Sequence, residues 1–159
     1  MGGVSTRFIV IELAYSDHDP ETYLVPVAFA AGEAATGIEQ RSPHAIIAYI
    51  EGPAPGVIYD SLATGEGASA LLADPAELGR LESTPNEAMR DVCGDCDLAP
   101  RPVRFEQTNS TVPFGDKLVL KVFRQLEPGT NAEIEVGSFV TAHATRGVTQ
   151  RVGGPVHYH

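Results

Sequence analysis

The chain has 159 residues, 43% of them hydrophobic, with 12 prolines and 16 glycines, which suits one globular domain or two small ones with many turns. Eleven basic residues against 21 acidic ones give a formal charge of −10, which argues against nucleic acid and anionic membrane as partners. No apolar run approaches the roughly 20 residues of a membrane span, and MGGVSTRF at the N-terminus lacks a signal-peptide core, so an acidic, soluble, cytoplasmic protein is expected. Met1-Gly2 with Ser5-Thr6 matches a myristoylation signal only faintly.

In chain order, Thr6 to Tyr15 is rich in β-branched and aromatic residues and reads as a strand. Ser16 to Pro20 is a turn cluster, and Glu21 to Phe29 is the returning strand of a hairpin. Pro26 inside it predicts an edge strand or a bulge. Residues 30–43, Ala- and Gly-rich, read as a loop, and His44 to Glu51 as a third strand. Three strands are thin for a core, so this sheet should lean on something else. Gly52-Pro53-Ala54-Pro55-Gly56 is the clearest breaker. It predicts two domains, 1–55 and 56–159.

Val57 to Leu62 opens the second part. Gly67 to Ala73 is helix-compatible, and Pro75 to Leu81 could add a turn or two capped by Asp74. Residues 82–100 read as polar loop. Cys93-Gly94-Asp95-Cys96 is a single CxxC, half of a structural zinc site. His143, His157 and His159 could complete one in principle, but nothing fixes them nearby. A redox role wants a helix N-terminus in a βαβ setting, which is not evident. Two incidental thiols and no metal site are therefore expected.

The stretch Phe105 to Phe139 carries the most information. It reads as strand, polar turn, strand, loop, helix. FEQTNST is extended, Phe114-Gly115-Asp116-Lys117 has turn chemistry, and Leu118 to Phe123 is an apolar strand holding one lysine. Glu127 to Asn131 breaks it. A helix then starts at Asn131, whose side chain can accept from first-turn N–H groups. Glu133 and Glu135 lie in its first two turns, with Ile134, Gly137 and Phe139 on or near one face. Thr149 to Tyr158 reads as a further strand, broken by Gly153-Gly154-Pro155. Burying Lys121 between Leu120 and Val122 would be costly without a partner, and Glu135, or less well Glu133, is the candidate. The pattern alone favours a surface lysine on an edge strand with acidic neighbours.

The wording of this stretch closely resembles the nucleotide-lobe signature of actinobacterial maltokinases, kinase-like enzymes related to the aminoglycoside phosphotransferases. That signature runs roughly EQSNTSV, then FGD, then LILKxFRRLEPGxNPDxEVGRFL. Here it stands as Glu106-Gln107-Thr108-Asn109-Ser110-Thr111-Val112, Phe114-Gly115-Asp116, and LVLKVFRQLEPGTNAEIEVGSFV. Ala132 replaces a proline and Ser138 an arginine. The resemblance implies an α+β, mainly antiparallel chain with a few helices: a cystatin- or monellin-like cap sheet, then a kinase-like N-lobe sheet with one helix. The match over the cap rests on order and spacing. The aromatic and basic opening segment of the family, near RWYxGK, is not present.

Carried onto this chain, the resemblance implies that Gln107, Thr108, Asn109, Ser110 and Thr111 form a hairpin turn covering ATP phosphates. Lys121 would contact the α/β-phosphates and Glu135 would orient it. The family reaction uses ATP and magnesium to phosphorylate maltose at its reducing end. It needs an HGDxxxxN-type loop and a later acidic magnesium motif from a C-terminal lobe. The 159 residues contain neither. The chain is thus expected to be the cap remnant and nucleotide lobe of such a kinase, inactive alone, with no catalytic or metal-ligating residue of its own. Its partner would be the catalytic lobe, or other copies through uncovered apolar surface. A non-catalytic binding module, partnered by a carbohydrate-metabolism enzyme, or a piece of a glucosamine or other sugar kinase are the alternatives.

Overall fold

β-Branched and aromatic residues flank the Ser16–Pro20 turn, and they pair as expected. Strand β1 (Arg7–Leu13) runs antiparallel to strand β2 (Glu21–Ala31), with Arg7 opposite Val27 and Leu13 opposite Glu21. The computed structural model describes residues 5–73, 81–83, 99–101, 109–143 and 156–158. It divides into two compact units, Met1–Ala73 with Leu98–Leu126, and Asp74–Asp97 with Glu127–His159. Every strand pair among the described residues is antiparallel, and the class is α+β.

In the first unit, strand β3 (Ile46–Ile50) and strand β4 (Gly56–Asp60) complete a sheet of order β1-β2-β4-β3. The Gly52–Gly56 breaker is the connection of the β3–β4 hairpin, so the boundary read at 55/56 falls inside one sheet. A chain-breaking run marks a reversal as readily as a domain edge.

Two expectations are corrected. Residues 32–41 are not loop but helix α1 (Gly32–Arg41). Alanine is the best helix former, and Glu33, Glu39, Gln40 and Arg41 are good ones. Burial of Ala35 and Ile38 on the sheet outweighs the glycines at 32 and 37. A fully buried Ile contributes about 1.5–3 kcal/mol. The short side chains of Ala28 and Ala30 on β2 let α1 approach, and these join Val57, Tyr59, Ala45 and Ala63 in one apolar core. Pro26, second, is not on an edge. Strand β2 pairs with β4 from Val27 onward and with the short strand β8 (Gln125–Leu126) at Thr22 and Tyr23. Pro26 sits in the gap where β2 changes partner, so its missing N–H removes no ladder bond. Its carbonyl accepts from Ser61 N–H at 3.0 Å.

The turn after β4 is held by its own side chains. Asp60 Oδ1 accepts from Leu62 N–H at 2.9 Å, and Gly67 N–H donates to the Ser61 carbonyl at 3.0 Å. A Cβ at Gly67 would run into Ser61 Oγ. Helix α2 (Glu66–Ala73) follows, as expected for 67–73. Of the helical turns expected at 75–81 and the loop expected at 82–100, residues 74–80 and 84–98, with Cys93 and Cys96, lie outside the described residues, whereas Leu81–Ser83 is strand rather than helix or loop.

A third hairpin belongs to the same unit. Strand β6 (Asn109–Phe114) and strand β7 (Leu118–Phe123) pair from Asn109 opposite Phe123 to Phe114 opposite Leu118. Gly115 makes the turn between them with φ +58°, a left-handed value that suits glycine. The second unit contains strand β5 (Leu81–Ser83) paired with strand β9 (Val156–Tyr158), and helix α3 (Ala132–His143). The expected strand over 149–158 is thus described only at 156–158.

Candidate functional site

Alternation along the β6–β7 hairpin sorts its residues onto two faces. One carries Ser110, Val112, Phe114 and Val122, all buried. The other carries Asn109, Thr111, Lys121 and Phe123, half-buried apart from exposed Thr111. Lys121 is therefore not forced into an apolar core. It shares a rung with Thr111, and its ammonium lies 5.1 Å from the Phe123 ring centroid. Such cation–π contacts contribute about 0.5–1 kcal/mol at exposed sites. Lys121, Thr111 and Asn109 thus put a cation, a hydroxyl and an amide on one partly covered face. That donor set suits an anion such as a phosphate.

The buried face is closed by groups that the sequence reading passed over. Arg124 follows directly on β7. Its Nε donates to Ser110 Oγ at 2.7 Å, and its Nη1 pairs with Asp60 Oδ2 at 2.5 Å. Its carbonyl accepts from Leu24 N–H at 2.7 Å. Both side chains of the ion pair are mostly buried, at 14% and 10% exposure. One arginine therefore clasps β6, the end of β4 and the middle of β2. The charged run Phe-Arg-Gln-Leu-Glu gave a sequence cue only through the family wording, and Asp60 is far away in the chain.

Of the expected phosphate-binding residues, Gln107 and Thr108 lie outside the described residues. Asn109, Ser110 and Thr111 are not in a turn but in strand β6, at the end of the hairpin away from Gly115. The Ser110 hydroxyl is fully buried and accepts from Arg124, so it belongs to the clasp rather than to an open site. Six ladder rungs hold these residues extended, because Val112 and Phe114 register with Leu120 and Leu118. Thr111 and Lys121 are brought together. Glu133 and Glu135 belong to α3, in the other unit.

Helix α3 begins as the sequence predicts. Asn131 Oδ1 accepts from Glu133 N–H at 2.9 Å, the geometry of an N-cap. Two glutamates in the first turn complement the positive end of the helix dipole. No residue of α3 is buried, and Val136 and Phe139 are exposed. Ile134 and Gly137 are half-buried, so Phe139 does not share their environment. Its ring stacks on His143, 4.2 Å between centroids, and His143 Nδ1 donates to the Phe139 carbonyl at 2.8 Å.

Two carboxylate–tyrosine clusters complete the first unit. Tyr59 donates to the Glu66 carboxylate, which also accepts from Thr64 Oγ1 at 3.1 Å. Burial, and then the bond to Glu66, push the Tyr59 hydroxyl well above its ordinary pKa. Near the β1–β2 turn, Glu21 Oε2 accepts from Tyr15 and Tyr23, each at 2.9 Å. Those bonds, Tyr15 first, lower the Glu21 pKa. Among the described residues, no group of three or more His, Cys, Asp and Glu side chains is placed to hold a metal ion. No described helix is long and apolar enough to cross a membrane. No protein-family model matches the chain.

Proposed function

We propose that the chain is the nucleotide-holding portion of a maltokinase-like, ATP-dependent sugar kinase. What carries this reading is the coincidence of family wording with local geometry at Lys121. The lysine stands mid-strand on the partly covered face of a hairpin, on one rung with Thr111 and two rungs from Asn109. In this reading its ammonium takes the α/β-phosphates of ATP and Thr111 adds a hydroxyl bond. Glu135, in the first turn of the Asn131-capped helix, holds the place in the family wording of the glutamate that orients such a lysine. Magnesium would supply charge neutralisation between the phosphates, on ligands from the catalytic lobe. Gln107 and Thr108 are the other proposed phosphate contacts. Ser110 drops to a structural role because its hydroxyl is committed to Arg124.

These 159 residues hold no HGDxxxxN loop, so the chain itself transfers no phosphoryl group in this reading. Its partners are ATP and a catalytic lobe, and its place is the cytoplasm. Calorimetric titration with magnesium–ATP tests the reading. Wild type binds weakly and Lys121→Ala does not; equal heats from both remove the lysine's role. A mixture with ATP, magnesium and maltose yields no maltose 1-phosphate, and turnover would contradict the inactive-portion reading. A second reading, a non-catalytic interaction module, draws on the exposed Val136 and Phe139 of α3, side chains that a partner protein could cover.

A further inference from the structure

Strand β1 stands at the end of its sheet, and no other strand among the described residues pairs with its outer edge. Natural edge strands carry devices that block pairing: lysines, prolines, bulges or short length. Strand β1 has no lysine, proline or bulge, and its only charges, Arg7 and Glu12, sit near its two ends. Its seven residues, Arg-Phe-Ile-Val-Ile-Glu-Leu, contain no proline, glycine or lysine and pair with β2 without a register break. Ile9, Ile11 and Leu13 are exposed, side by side on the sheet face that also presents the exposed Phe29 of β2. An unprotected apolar edge is a template for another strand.

The charges along this edge say which strand. The Arg7 end carries no acid from residue 1 to residue 11. The opposite end is acidic, with Glu12, Asp17, Asp19 and Glu21. An antiparallel pairing of two identical β1 strands sets the basic end of each against the acidic end of the other, twice over. We propose that β1 is a self-association edge, through which two copies of this chain join their sheets across a two-fold axis. The axis stands normal to the sheet, so the apolar faces bearing Ile9, Ile11 and Leu13 become continuous. The net charge of −10 per chain opposes this at long range. At physiological ionic strength the screening length is about 8 Å, so the distant repulsion fades while contacts at the edge persist. One strand pair buries little area, so the dimer is a micromolar one. The inference does not depend on the nucleotide reading.

Sedimentation equilibrium over a micromolar-to-submillimolar series tests it. The weight-average mass of wild type rises from 16.9 kDa toward twice that value. Ile9→Lys places a charge on the edge and holds the chain at monomer mass throughout. Arg7→Glu and the double variant Asp17→Lys with Asp19→Lys each weaken self-association at least tenfold. Mixed in equal amounts they restore the dimer, because both ends of the hetero-pair are again opposite in charge. The Asp17 side chain is 82% exposed, so its reversal leaves the fold intact, and far-ultraviolet circular dichroism checks this for each variant. Three results overturn the proposal: a wild type at monomer mass at every concentration, which leaves the edge to a strand of another protein, a dimer indifferent to Ile9→Lys, or a charge-swapped mixture that stays monomeric.

Discussion

The two faces of the β6–β7 hairpin are written in alternate residues of one stretch, and they do opposite things. Ser110, Val112, Phe114 and Val122 face inward, where Arg124 closes the polar end by bonding Ser110 and Asp60. Asn109, Thr111 and Lys121 face outward on a side that is only partly covered. The inward face fixes geometry. The outward face carries a cation, a hydroxyl and an amide. A motif spelled as one run of residues thus divides into a scaffold half and a chemical half, by strand period alone.

Changes to the scaffold half should have the largest effects. Arg124→Ala leaves Asp60 largely buried without its cation, and breaking such a pair from one side costs about 3–5 kcal/mol. Urea denaturation should show that loss. Arg124→Lys should recover only part of it, because one ammonium cannot reproduce the guanidinium fork toward Ser110 and Asp60. Should Arg124→Ala unfold with wild-type stability, the clasp is ornamental and the contrast between the faces fails.

Alkaline titration probes the same unit from another side. Burial raises the folded pKa of Tyr59 above its ordinary 10.0. A group raised in this way contributes stability that is complete below its unfolded pKa and is lost as pH rises above it. Stability should therefore fall above about pH 10, and Tyr59→Phe should flatten that fall. Phenolate absorbance during the titration checks it: one tyrosine should ionise only with unfolding.

Smaller effects belong outside the clasp. Asn131→Ala removes the N-cap of α3 and should cost about 1 kcal/mol, visible as reduced helical ellipticity with the hairpin unchanged. Lys121→Ala should cost less in stability than Arg124→Ala, about 1 kcal/mol, the scale of a cation–π contact. A larger loss would mean that the lysine is structural, and would erase the distinction between the faces.

Much of this organisation was legible in the residues. Strand period and turn chemistry placed β1, β2, β7 and the Gly115 turn, and Asn131 announced its cap. Helix α1 was not legible, because Ala- and Gly-rich segments are ambiguous until Ala35 and Ile38 find a sheet to cover. Pro26 misled for a related reason: a proline argues for an edge unless the neighbouring strand changes at that point. The pairing of Thr111 with Lys121 was readable because they sit close together in one hairpin. The Arg124–Asp60 pair was not, since it joins positions 64 residues apart (124 − 60) and neither neighbourhood hints at the other.

Side-chain resonances under magnesium–ATP titration test the central claim most directly. The account predicts saturable shifts at the Lys121 ε-methylene and the Thr111 methyl, with the Val112 and Val122 methyls nearly still. In Lys121→Ala the Thr111 shift should vanish. Saturable shifts of equal size on both faces, or a Thr111 response that survives the loss of Lys121, would contradict it.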